Sequence, residues 1–325
     1  MLTLNHLNNI SQLPELVLCP LDSWDLVSIS GEDRITFLQG QLTCDLEGLA
    51  IGEQTLAAHC NPQGKVWSVC RVIMLEDRVL LTQPSSVSTV QLPELKKYAA
   101  FSKVTIQLET DYQFFGLAGC QSTDYINEKI QSLASTATSQ LLEDGSIIIK
   151  QPYPSLRYLV IMKKEAVTAQ LDALKEKAEI FNDELWNAMN IASGVGFINA
   201  ETSAQFIPQM LNLQALNGIS FSKGCYIGQE TIARAKYRGA NKRALFILTG
   251  RATQSPVAGQ TVEVLLNNNW KRVGTVISGC QYGDGHIEIV AVLPKDTNTE
   301  DVFQVKEIQD STLYCAPLPY QIAED

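Results

Sequence analysis

No apolar run in the 325 residues approaches the ~18–20 needed to span a bilayer, so a helical membrane protein is excluded. The N-terminal Met-Leu-Thr-Leu-Asn-His has no positive region followed by a hydrophobic stretch, and without a signal peptide the expected compartment is the cytoplasm. No Cys-x-x-Cys pair occurs; the closest cysteines are Cys60 and Cys70, which argues against a structural zinc site or a thioredoxin-like motif. The eight cysteines are therefore expected as free thiols of a reducing compartment, and no metal site is expected. There is no Walker A loop, Rossmann glycine fingerprint or metalloprotease motif. Histidine is scarce at three, which leaves little material for a Cys–His–acid arrangement. Positive charge is also short overall: the net charge of -10 argues against a surface given over to nucleic acid.

What the chain does have is one unusual octapeptide, Lys223-Gly-Cys-Tyr-Ile-Gly-Gln-Glu230. A free cysteine is ordinarily a buried small hydrophobe. Cys225 instead sits among polar residues, with Gly224 and Gly228 giving backbone freedom for an exposed turn. Lys223 places a cation two residues away, which is expected to favour the thiolate. Such a thiol suits a nucleophile, a redox group or a soft-metal ligand. From Lys223 to Arg243 six basic residues, Arg234 and Arg238 among them, face a single acid, Glu230. That local excess is read either as a solvated helix face or as an anion site.

Forty-five per cent hydrophobic residues over this length suit a globular protein of two or three domains. Trp24–Ser30, Thr55–Cys60, Lys65–Leu75 and Arg78–Thr82 read as strands, followed by a helix over Val87–Ala99 and a strand over Lys103–Leu108. Tyr112–Leu117, Ile147–Lys150 and Arg157–Met162 are further strands, with helical stretches at Thr123–Leu133, Glu165–Lys177 and Asp183–Ala192. Beyond Lys242 only short strands separated by Asn, Gly, Asp and Pro clusters remain, so 242–325 reads as a small all-β barrel or sandwich. The fold class is thus α+β, with units expected at 1–110, 111–241 and 242–325. His59 alternates within its strand and reads as a hydrogen-bonded structural residue rather than a base.

The octapeptide, Gln205-Phe-Ile-Pro-Gln209, Asn212-Leu-Gln214, Gly218-Ile-Ser-Phe221 and the run Ala233–Ala244 together resemble the YgfZ-type folate-binding proteins. These are relatives of the glycine-cleavage T protein, an aminomethyltransferase. Gly31 with Gln39-Gly-Gln41, Ala57-Ala-His-Cys60 and Gly64-Lys65 extend the resemblance towards the N-terminus. It implies two intertwined ferredoxin-like, T-protein-like α+β units plus the barrel, with tetrahydrofolate or another reduced folate in a central channel. It further implies Trp24 and Trp186 as stacking partners of the folate ring and Cys225 as the working thiol beside Lys223. Arg234 and Arg238 would hold the folate tail. The implied role is an accessory one in iron–sulfur protein maintenance and thereby in tRNA methylthiolation, with iron–sulfur enzymes such as tRNA methylthiotransferases as partners and direct tRNA contact as a further reading. An independent folate-dependent one-carbon transferase or demethylase is the alternative. Against it, Asn190-Ile-Ala-Ser-Gly194 lacks the pterin-binding glutamate of the aminomethyltransferases.

Overall fold

The computed structural model describes the chain except for residues 131–137, 166–171, 173 and 323–325. In chain order the first half runs β1 (Val17–Pro20), β2 (Trp24–Ser30), α1 (Arg34–Gln39), β3 (Gln54–Cys60), β4 (Val66–Met74), β5 (Arg78–Pro84), α2 (Ser85–Lys97) and β6 (Thr105–Leu108). There follow β7 (Tyr112–Ala118), α3 (Ser122–Tyr125), β8 (Ser139–Leu141), β9 (Ile147–Gln151), β10 (Arg157–Lys163), β11 (Glu179–Ile180), α4 (Asp183–Ala192) and α5 (Gln229–Tyr237). The barrel strands are β12 (Arg243–Arg251), β13 (Thr261–Leu266), β14 (Asn269–Gln281), β15 (His286–Pro294), β16 (Phe303–Val305) and β17 (Ile308–Ala316).

These strands form a five-stranded sheet of order β3-β4-β5-β2-β6, a six-stranded sheet of order β11-β1-β7-β10-β9-β8, and a closed barrel, β12-β15-β14-β13-β16-β17. The first two units are intertwined because β1, which precedes the first sheet in sequence, pairs antiparallel with β7 and parallel with β11 of the second. Side-chain alternation explains the layering. On β2, Val27 and Ile29 pack with Phe37, Leu38, Leu92 and Leu95 under α1 and α2, whereas Leu26 turns to the opposite face. That opposite face meets Val17, Ile149, Leu159 and Ile161 of the second sheet and Leu245, Ile277 and Val292 of the barrel in one shared core. The barrel interior is a separate cluster around Val262, Ile289 and Phe303.

The expected strands and the helices at 85–97 and 183–192 are present, and 242–325 is a barrel. The structure adds β1, β8, β11 and β17, which are too short or too polar to stand out, and α5, whose charged surface masks a two-residue buried stripe of Ile232 and Ala235. The expected helix Thr123–Leu133 is α3 continuing as a π-type turn to Ile130, and its end lies outside the described residues. Most of Glu165–Lys177 lies there too.

Candidate functional site

Two adjoining hollows, of about 330 and 420 Å³, form a groove between the end of the first sheet, α4 and the barrel. The smaller is walled by Trp24 at the start of β2, by Pro84–Ser86 at the head of α2, and by Phe197. Glu184, Asn187, Asn199 and Ser278 are common to both hollows. Trp24 is half-buried and meets Phe197 edge-to-face, with ring centroids 4.7 Å apart and planes at 80°. That arrangement is favoured by the aromatic quadrupoles and fixes the indole while leaving it part of the wall.

Side chains tie the seams of the groove. The backbone N–H of Ser23 donates to Asp183 Oδ2 at 2.9 Å, joining α4 to the first sheet. Asn187 bridges α4 to the barrel, donating to the Gly279 carbonyl at 3.2 Å and accepting from Ser278 Oγ at 2.8 Å. Asn199 accepts from Ser86 Oγ at 3.2 Å and donates to the Ile277 carbonyl. Glu184 is exposed on the same wall.

Trp186, expected beside the folate ring, is buried on the neighbouring helix α4. It is 2 % exposed and does not line the groove. On α4 it packs onto Gly116 of β7, where an added Cβ would come within 2.3 Å of the ring. The guanidinium of Arg157 lies 4.3 Å from the ring centroid. Of the two tryptophans, Trp24 lines the groove and Trp186 is buried in the core.

The Cys225 loop is fastened to the first sheet. Gly228, with φ +82, caps α5 and packs so closely on the Asn61–Gly64 turn that a Cβ would meet the Asn61 carbonyl at 2.7 Å. The N–H of Ile227 donates to the Gly40 carbonyl at 3.0 Å. Lys223 Nζ donates to the carbonyls of Gln39, Leu42 and Cys44 at 2.7, 2.7 and 2.6 Å, which uses all three of its N–H donors. Burial pushes its pKa down to about 8. The lysine expected to activate the neighbouring thiol is thus committed as a clasp, and its charge acts on Cys44, whose thiol burial nonetheless raises to about 12. Cys225 itself is exposed, as is Cys120. Cys19, Cys60, Cys70 and Cys280 are buried with thiol pKa values pushed well above the ordinary value by desolvation.

Arg234 and Arg238 are exposed on and after α5, and neither lines the groove. Arg234 pairs with Glu230 one turn earlier at 2.6 Å. Lys236 lies 3.8 Å from the Phe221 ring centroid. His59 is buried and its Nδ1 meets Gln91 Nε2 at 3.0 Å, a structural contact. Among the described residues no group of three His, Cys, Asp or Glu is arranged to hold a metal ion. Among the described residues, too, no helix is long and apolar enough to cross a membrane. The groove residues missed from sequence were Phe197, Asp183, Asn187 and Asn199. The 183, 184, 187 spacing on one helix face was the available signal.

Comparison with known proteins agrees with this architecture. A family model described as the YgfZ β-barrel domain matches residues 241–308. The chain is 42 % identical to the tRNA-modifying protein YgfZ of Yersinia pseudotuberculosis serotype IB (strain PB1/+), over 97 % of this chain and 95 % of that protein. It is 41 % identical, with the same coverage, to the protein of that name from Yersinia enterocolitica serotype O:8 / biotype 1B. Among solved structures, the glycine cleavage system aminomethyltransferase T from Bartonella henselae superposes with a TM-score of 0.72 over 94 % of this chain and 86 % of that one. Its 16 % identity makes that a likeness of fold. With more than two-fifths of its residues shared along nearly its whole length, the chain belongs to the YgfZ family.

Proposed function

We propose that this protein binds a reduced folate in the groove between its three units and acts through it in tRNA modification. The observation that carries the reading is the chemistry of the wall: a half-buried indole held by Phe197, with carboxylates beside it at Asp183 and Glu184. A pterin is a flat ring with an amino group and a ring N–H on one edge. It needs an aromatic face and an acceptor, and the groove supplies both. The volume also lies in the range of small-molecule sites. The tRNA connection rests on the relatives, which are tRNA-modifying proteins.

The reading of an accessory protein in iron–sulfur maintenance, with Cys225 as the functional thiol, extends this proposal. Its support is that the thiol is exposed on a loop clasped in place by Lys223, Gly228 and Ile227. An autonomous aminomethyltransferase is less well supported, because Asn190 and Ser193 receive hydrogen bonds from Arg157 where that chemistry would need a free acceptor.

Titrating tetrahydrofolate into the protein while following indole fluorescence tests the ligand. Saturable quenching that Trp24→Ala abolishes supports the groove, and unchanged affinity in Trp24→Ala overturns it. A Cys225→Ala strain assayed for iron–sulfur enzyme activity and for methylthio-modified tRNA nucleosides tests the role. Normal values for both would remove the thiol from it.

A further inference from the structure

Two arginines stand in the space between the sheets without a carboxylate to meet them. Arg71 on β4 lies between Val69 and Ile73, and Arg157 begins β10 two residues before Leu159. Those three apolar neighbours belong to the core shared by both sheets, so alternation along each strand sends both guanidinium groups to that side. Among the described residues neither arginine takes part in an ion pair, and Arg157 is 1 % exposed.

Arg157 has neutral partners only. One terminal nitrogen donates to Asn190 Oδ1 at 2.8 Å and to Ser193 Oγ at 3.3 Å, the other to the Trp186 carbonyl at 3.4 Å. Its Nε is buried with no acceptor, and so is Nδ2 of the same Asn190. Arg71, half-buried as a residue, donates to Gln54 Oε1. A cation taken out of water without a counter-charge is costly, and a buried donor without an acceptor adds to the cost. Protein interiors reduce such costs with a counter-charge, and among the described residues the chain supplies none.

We propose that Arg71 and Arg157 form an anion site between the two sheets that takes a small carboxylate of formate or acetate size. Carboxylate is the anion whose two coplanar oxygens match the donor fork of a guanidinium. A phosphate would bring a second charge into an enclosed space and a tetrahedral shape that the fork matches less closely. The enclosure of Arg157 limits the size. Both cations are disfavoured where they stand: burial first, then the charge of Arg71, pushes Arg157 down to about 9, and burial pushes Arg71 down to about 10. An anion between them relieves both effects. The site is distinct from the folate groove, since neither arginine lines it, and the proposal does not rest on folate binding.

The test follows the Nε–H resonances of the two arginines in the ¹⁵N-labelled full chain, assigned with Arg71→Lys and Arg157→Lys. Formate and acetate are titrated at constant ionic strength with chloride as the balancing ion. Both resonances should shift saturably, and Arg71→Lys should weaken binding about tenfold or more, since lysine cannot present the fork. If Arg157→Lys does not fold, the wild-type titration and Arg71→Lys still decide the matter. Absence of any shift overturns the proposal, as does an unchanged affinity in Arg71→Lys. A response to phosphate or to p-aminobenzoylglutamate that formate and acetate do not produce overturns the assignment to a small carboxylate.

Discussion

At the level of single residues, burial separates the thiols and histidines that can act from those that hold the structure. Cys225 and Cys120 are exposed while the Cys44 thiol is pushed up to about 12. Alkylation at neutral pH followed by peptide mapping should therefore label these two first. Labelling of Cys44 or Cys60 ahead of them would contradict the loop's exposure. Cys225→Ser should change stability by no more than about 0.5 kcal/mol, as for other surface positions. His59 carries the opposite signature, its pKa pushed down to about 4 by burial. The folded protein refuses a proton that the unfolded chain accepts near its ordinary value of 6.5, so unfolding takes up a proton between the two. Stability is full above about 6.5 and is lost as pH falls towards 4, by up to about 3 kcal/mol. Urea melts across that window should show the slope in the wild type and its reduction in His59→Gln.

At the level of elements, the readable parts were those with strong periodicity or special residues. The helix 183–192 was legible to its ends, because Gly194 and Gly196 follow it closely and two acids, Asp183 and Glu184, suit its first turn. Short strands such as Glu179–Ile180 were not, since two residues carry no period and are held by β1 and by the Leu2 N–H on the Ile180 carbonyl. Of the candidate site, the exposure of the Cys225 loop was legible from its glycines, whereas the burial of Trp186 depends on Gly116 and Arg157, which are distant in sequence. Trp186→Ala should accordingly destabilise the fold by about 3–5 kcal/mol, the range for a large aromatic removed from a core. A well-folded Trp186→Ala variant with its only defect in folate affinity would restore the stacking role. Lys223→Met leaves three buried carbonyls without their donor and should cost about 2–3 kcal/mol. Faster amide exchange should be confined at first to the loop around residues 222–228. An unchanged exchange pattern would mean that the clasp does not hold the loop.

At the level of the whole molecule, the charge asymmetry sets an acidic groove against the basic stretch around α5. If that stretch receives a folate polyglutamate tail, charge reversal at Arg238 should weaken polyglutamated tetrahydrofolate more than the monoglutamate, and the gap should close as salt rises. Equal losses for both ligands would dissociate the stretch from the tail. Arg234 is the less informative position, because it already pairs with Glu230. The shared core has a further consequence for how the protein is made. The barrel is closed in its hydrogen bonding, yet Leu245, Ile247, Ile277, Val290 and Val292 form an apolar outer face that packs into the core shared with the sheets, with α4 and the turn at Pro208–Leu211 lying against it. On the ribosome the sheets emerge first and wait with their half of that core open until Val292 has left the exit tunnel, an interval in which a nascent chain is a chaperone substrate.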